Sequence, residues 1–78
     1  MSVKAYVLVV VDPAKTKAVA KAIRDVPGIT EMHEVMGPYD IVIEIEVESL
    51  QDIPPILSER IRVIDGIEAT TSLVTMPE

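Results

Sequence analysis

The chain has 78 residues, of which 49% are hydrophobic and 26% are charged, and it contains no cysteine. A chain of this length is expected to form one domain, residues 1–78, with little buried core of its own. A disulfide or zinc framework cannot compensate, because His33 is the single histidine. We therefore expect the missing stability to come from association with further copies, that is, from a homo-oligomer.

Acidic residues dominate the charge, since 13 Asp and Glu stand against 7 Lys and Arg and give a net charge of −6. Such a domain lacks the basic surface that neutralises phosphates, so we expect no direct binding to nucleic acid or to an anionic membrane. The longest apolar run, residues 5–11, is too short to cross a bilayer, and no signal-peptide pattern occurs. These features predict a cytoplasmic protein.

The first predicted strand, residues 3–11, is rich in β-branched residues and apolar at almost every position, as in a strand covered on both faces. Asp12 and Pro13 are typical of a helix start. The helix is predicted to run to about Asp25, because Pro27 and Gly28 follow. Its apolar stripe consists of Ala14, Ala18, Val19, Ala22, Ile23 and Val26.

The second half of the chain repeats this order. Residues 29–36 predict a strand, Gly37 and Pro38 a turn, and residues 40–47 an alternating strand. A turn over residues 49–53 precedes a helix that begins near Pro54 or Pro55 and ends at residues 65–66. Its apolar stripe consists of Ile53, Ile56, Leu57, Ile61 and Ile64. Residues 67–76 predict the last strand.

An internal repeat supports this order, because five positions recur 38 residues later: Val19, Ile23, Val26, Gly28 and Ile29 correspond to Leu57, Ile61, Ile64, Gly66 and Ile67. Two halves of this kind predict an α+β fold, the ferredoxin-like β-α-β-β-α-β sandwich. In that fold two helices cover one face of a four-stranded antiparallel sheet. The other face would carry Tyr6, Leu8 and Val10, joined by Val42, Val74 and Met76. Since soluble monomers rarely expose such a surface, we expect dimers through this face.

Two polar segments are candidates for function. In the predicted hairpin, Gly37 permits an unusual backbone conformation, Tyr39 is one of two aromatic residues, and Asp40 either caps the turn or accepts an ammonium group. Turn formation alone would also explain the glycine and the aspartate. Hydroxyl groups interrupt the last strand at Thr70, Thr71 and Ser72. Alternation predicts Thr70 and Ser72 on one face and Thr71 on the other.

No catalytic or metal-binding constellation is recognisable. His33 has no second His or Cys with which to form a metal site, so it is interpreted as a surface or interface side chain. Glu44, Glu46 and Glu48 are interpreted as the solvated face and end of a strand rather than as a catalytic pair. No phosphate-binding glycine motif occurs. We therefore expect no enzyme activity and no cofactor.

Four motifs in order resemble one known family: D-P at residues 12–13, V-P-G-I at 26–29, V-M-G-P-Y-D at 35–40 and D-G-I-E-A-T-T-S-L-V at 65–74. Together they resemble the effector domain of Lrp/AsnC-type transcriptional regulators, also called the RAM domain, over essentially the whole chain. The N-terminal helix-turn-helix of those regulators is missing, so we expect a stand-alone RAM protein. Met36 and the Pro54–Pro55 pair depart from the family pattern.

The resemblance implies sheet-to-sheet dimers that assemble into octamer-like rings, with an amino acid bound between dimers. It assigns the ligand to Gly37, Tyr39 and Asp40, together with the three hydroxyl residues of the last strand. Backbone N–H groups at the glycine turn would hold the ligand carboxylate.

Two alternatives remain. The chain could assemble with a full-length Lrp/AsnC-type regulator without binding a ligand itself. Alternatively, it could be an enzyme of the dimeric α/β-barrel kind that uses His33.

Overall fold

The computed structural model describes residues 2–76, so the predicted domain limits at residues 1 and 78 lie outside the described residues. The strands are β1 (Val3–Val11), β2 (Ile29–Glu34), β3 (Ile41–Val47) and β4 (Ile67–Val74). Helix α1 (Thr16–Arg24) follows a 3₁₀ turn, Pro13–Lys15. The second helical segment, α2, follows a 3₁₀ turn at Leu50–Asp52; it comprises an α-helical turn, Ile53–Pro55, and a π-helical stretch, Ile56–Ile61. The predicted element order is confirmed.

The four strands form one antiparallel sheet in the order β2-β3-β1-β4. Strand β1 is therefore central, which explains why it is apolar on both faces. Its Val7 pairs with Ile43 of β3 on one side and with Ser72 of β4 on the other. This is the predicted ferredoxin-like arrangement.

Both helices pack on the same face of the sheet, where they cover the inward-pointing residues of β1 and β3. The buried core consists of Ala5, Val7, Val9, Val11, Val19, Ala20, Ile23, Ile41, Ile43, Ile45, Ile53, Leu57 and Ile61. The strands contribute this core at every second residue and the helices at helical spacing, as expected for one apolar face per element. A continuous core thus forms between the sheet and the helices.

The predicted stripe of α1 needs a correction. Ala14 and Ala18 are exposed, whereas Ala20, which the stripe omitted, is buried. The reason is that the regular helix begins only at Thr16, after the 3₁₀ turn, so its inward face is set by Val19, Ala20 and Ile23. Asp12 does cap the segment, because its side chain accepts a hydrogen bond from the Ala14 N–H at 3.0 Å.

Two strands end earlier than predicted. Strand β2 stops at Glu34 instead of residue 36, because the hairpin already closes where the Val35 N–H donates to the Asp40 carbonyl at 2.9 Å. Strand β4 stops at Val74 instead of residue 76, and Met76 is 84% exposed. Just beyond β4, the Thr75 N–H still donates to the Lys4 carbonyl of β1 at 3.0 Å, so the difference there is one of one or two residues at a strand end.

Helical segment α2 has an unusual form, which begins with a turn containing two prolines and continues as a π-helix. Neither Pro54 nor Pro55 has a backbone N–H to donate, which is tolerated in a first helical turn. Further along, the Arg62 N–H donates to the Leu57 carbonyl at 2.8 Å, a spacing of the π-helical kind. The wide turn leaves Ile61 buried and carries Arg62 out to the exposed end of the segment, beside β4.

Candidate functional site

The β2–β3 hairpin forms an exposed tip. Gly37 has a φ of +138°, a conformation that side-chain-bearing residues rarely adopt, and open space surrounds the position of its absent Cβ. Met36 beside it is fully exposed, while Tyr39 is half-buried at the base of the turn. The Gly37 backbone and the Met36 side chain are therefore accessible to another molecule at this end of the sheet.

Asp40 joins the hairpin to the central strand. Its backbone N–H donates to the Val9 carbonyl at 2.8 Å, and its carboxylate Oδ2 accepts from the Val11 N–H at 2.8 Å. Strand β3 begins only at residue 41, so without this carboxylate the Val11 N–H would lose its acceptor on that side. The sequence left open turn capping and ammonium binding; in the structure the Asp40 carboxylate accepts from β1 instead of capping its own turn.

The hydroxyl residues of β4 divide between the two faces of the sheet, as alternation predicts. Thr70 and Ser72 are the register partners of Val9 and Val7, so they share the helix-covered face. Thr71 is the partner of Leu8 and lies on the opposite face. The Ser72 hydroxyl is buried and has no hydrogen-bond partner among the described residues.

Two of the predicted site residues flank the same residue of β1. Val9 receives the backbone hydrogen bond of Asp40 on one side and pairs with Thr70 on the other. Two strand spacings separate them, roughly 10 Å. Asp40 and Thr70 thus lie at the same end of the sheet, whereas Thr71 is separated from them by the sheet itself.

A groove of about 370 Å³ lies against β4 at this end. It is lined by Arg62, Ile67, Glu68, Ala69 and Thr70. The Arg62 Nε–H donates to Thr70 Oγ1 at 3.2 Å, which holds the guanidinium group beside the strand. Sequence reasoning missed Arg62 and Glu68. The sequence offers only a weak indication of these two residues. It consists of a basic residue near the end of a predicted helix and a short turn before the next strand.

The sheet face turned away from the helices carries an apolar patch. This face, hereafter the open sheet face, includes Tyr6, Leu8, Val10, Val42, Ala69, Thr71 and Leu73. Tyr6 is 37% exposed and Leu73 is 53% exposed. Val74 was predicted here, but its pairing with Ala5 places it on the other face. Met76 lies beyond the end of β4 and is likewise not part of the patch.

One corner of the open sheet face is charged. Glu44 is 9% exposed, and its Oε1 lies 3.5 Å from Lys4 Nζ while its Oε2 accepts from Thr30 Oγ1 at 3.1 Å. The hydrogen bond with Glu31, followed by those of Thr30 and Lys4, holds the pKa of Glu44 below its ordinary value against the opposing effect of burial. The same pairing raises the pKa of Lys4. His33 is an exposed neighbour, with Nε2 3.6 Å from Glu31 Oε1.

Among residues 2–76, no helix is long and apolar enough to cross a membrane.

Comparison with known proteins identifies the family of this chain. Residues 4–78 match the model of the Lrp/AsnC ligand-binding domain. An uncharacterized HTH-type transcriptional regulator of Pyrococcus furiosus is 32% identical over 74 residues, which cover 91% of this chain and 49% of that protein. The chain thus spans about half the length of this relative.

Two further similarities bear on fold and role. A crystal structure of a Thermus thermophilus protein superposes with a TM-score of 0.92 at 25% identity, covering 97% of this chain and 95% of that one. A homocitrate synthase of Sulfurisphaera tokodaii is 37% identical over 60 residues, which amount to 76% of this chain and 13% of the enzyme. The similarity to the enzyme is therefore confined to a small part of it. Fold and family match agree, and the chain belongs to the Lrp/AsnC ligand-binding domain family.

Proposed function

We propose that this protein is a non-catalytic, amino-acid-sensing module that works as an oligomer and regulates transcription or amino acid metabolism. The observation that carries the proposal is the groove beside Thr70, which adjoins the Asp40 end of the sheet in a domain of a ligand-binding family. The ligand lies where the groove or the exposed hairpin of one dimer meets a neighbouring dimer. Such an interface site couples ligand affinity to assembly.

The dimer forms through the open sheet face. Its apolar patch runs across β1, β3 and β4, and a second copy would bring the same apolar patch against it. The charged corner supports this arrangement, because Lys4 and Thr30 hold the Glu44 carboxylate in place next to the patch. Dimers then associate around the hairpins into octamer-like rings.

The ligand-binding residues are Gly37, Tyr39 and Asp40 of the hairpin and Thr70 and Ser72 of β4, with Thr71 on the dimer side of the sheet. The backbone around Gly37 is open to contact by a ligand, since nothing lies near the position of its absent Cβ. The Ser72 hydroxyl also has no hydrogen-bond partner among residues 2–76, but it is buried within the single subunit.

A second role is favoured by the relatives, in which a domain like this one is about half of a transcriptional regulator or a small part of an enzyme. In this role the chain exchanges into the oligomers of a full-length Lrp/AsnC-type regulator and tunes it, without a ligand of its own. Subunit exchange through the open sheet face would produce such mixed oligomers.

The test is native mass spectrometry of the purified protein, alone and with an equimolar mixture of the twenty amino acids. We expect an oligomer that retains one kind of amino acid, and Tyr39→Ala should reduce its occupancy. Lys17→Ala on the exposed side of α1 is the matched control and should bind as the wild type does. An oligomer that retains no amino acid would contradict the sensor role and favour the partner-tuning one.

A further inference from the structure

The groove at β4 combines two opposite charges that the hairpin assignment does not use. Arg62 holds Thr70 with its Nε–H, and the ion pairs among the described residues do not include it. An arginine carries five N–H donors, so four remain for an acceptor in the groove. Planar guanidinium groups bind carboxylates through two parallel hydrogen bonds.

Glu68 supplies the negative charge. The register of β1 and β4 passes from Val11–Ile67 to Val10–Ala69, so Glu68 is the extra residue of a bulge and pairs with no residue of β1. It is exposed, lines the groove, and is absent from the ion pairs of residues 2–76. Its carboxylate can therefore accept hydrogen bonds from an ammonium group.

We propose that Arg62 and Glu68 bind the two charged groups of a free α-amino acid, Arg62 the α-carboxylate and Glu68 the α-ammonium. This inference rests on the proposed function and adds two residues to those assigned to the ligand there. Ile67 and Ala69 line the same groove and offer apolar contact for the ligand side chain. The volume of about 370 Å³ is at the small end of ligand pockets, which range from about 300 to 1,000 Å³.

The paired charges also determine what the groove rejects. A 2-oxo acid has the carboxylate without the ammonium group and would leave Glu68 facing an oxygen. A simple amine has the ammonium without the carboxylate and would leave Arg62 unpaired. Since an unpaired or repelled charge costs more than a lost neutral contact, both classes should bind more weakly than the amino acid.

The experiment measures the affinity of the amino acid that the wild-type protein retains from the twenty-component mixture, and of the corresponding 2-oxo acid. We expect Arg62→Gln and Glu68→Gln each to weaken amino acid binding about tenfold or more. Arg60→Gln and Glu59→Gln are matched controls, because they make the same charge changes outside the groove and should stay close to wild type. Glu68→Gln should also reduce the preference for the amino acid over the 2-oxo acid.

The outcomes separate the two proposals. If the wild type retains an amino acid and Arg62→Gln and Glu68→Gln bind it as their controls do, the Arg62–Glu68 site is wrong while the sensor function stands. If the wild type retains none, the sensor function fails and this site fails with it. Circular dichroism of each variant, together with Arg62→Lys as a milder change, distinguishes a lost contact from a lost fold.

Discussion

The carboxylate of Asp40 accepts a hydrogen bond from the backbone N–H of Val11, at 2.8 Å. The contact joins residues 29 positions apart and closes the end of the central strand, where β3 has not yet begun. Asp40 therefore contributes to the stability of the fold without any ligand. Its contact links the hairpin to β1, and β1 in turn pairs with β4, the strand that carries Thr70.

Replacing Asp40 tests this coupling. We expect Asp40→Ala to lower the free energy of unfolding by about 1–3 kcal/mol, because the partly buried Val11 N–H loses its charged acceptor. Asp40→Asn keeps an acceptor oxygen and should cost less. Urea denaturation of both variants provides the measurement. Equal losses in the two variants would show that the charge of the carboxylate, and not the acceptor geometry, supplies the stability.

Gly66 is predicted to be the least replaceable glycine of the described residues. Its φ is +106°, and a Cβ there would lie 2.8 Å from Val19 Cγ2 and 2.9 Å from Lys15 Cβ. Gly66→Ala should therefore destabilise the protein by about 2–4 kcal/mol through strain and overpacking.

Gly37→Ala is the matched control for Gly66→Ala. It also has positive φ but meets open space, so it should cost only about 1–2 kcal/mol. Thermal or urea unfolding of the two variants compares them directly. Similar losses at the two positions would mean that backbone conformation alone is responsible and that the close approach of α1 to Gly66 is unimportant.

The stability of the protein should fall in acid partly through Glu44. The hydrogen bond with Glu31, and then those of Thr30 and Lys4, lower the folded-state pKa of Glu44 from its ordinary value of 4.5. A carboxyl group with a lowered folded pKa stabilises the fold above the unfolded-state value, and that stabilisation is lost as the pH falls through the folded pKa.

Glu44→Gln tests this contribution. We expect the variant to be less stable than the wild type at pH 7, with the difference shrinking below about pH 4 as the wild-type carboxylate is protonated. Urea denaturation at pH 7 and pH 3 measures the two differences. A difference that stays constant would assign the role of Glu44 to packing rather than to its charge.

A substitution at Leu73 tests whether the open sheet face is a dimer interface. Leu73→Glu places a charge on this face in each of two copies, so we expect the dimer dissociation constant to rise about a hundredfold or more. Val63→Glu is the matched control, since Val63 is 66% exposed and follows α2 instead of belonging to the open sheet face. Sedimentation velocity reports both. Dissociation by Val63→Glu but not by Leu73→Glu would place the interface on the helix layer.

Local patterns predicted most of the fold. The alternation in residues 41–47 and the two-sided apolarity of residues 3–11 identified the inward faces of β3 and β1, since a strand alternates whatever its neighbours are. The stripe of α1 was less successful because the 3₁₀ turn at Pro13–Lys15 precedes the regular helix. Ala20, buried, and Ala18, exposed, show the consequence.

The candidate site depended on contacts between elements. The sequence identified the hairpin glycine and the hydroxyl residues of β4, but it left the role of Asp40 open and did not reveal Arg62. The π-helical turn of α2 places the Arg62 guanidinium where it reaches Thr70. The sequence pattern does not predict that turn.

The sequence alone predicted the element order, the fold class and the two-faced central strand. These features follow from hydrophobic periodicity, which can be read within one element at a time. The tertiary structure decided which face each residue of β4 occupies. The bulge at Glu68 sets the register against β1, so Leu73 and not Val74 joins the open sheet face. The tertiary structure also decided that the Asp40 carboxylate accepts the Val11 N–H, since a hydrogen bond across 29 residues exists only once the sheet has formed.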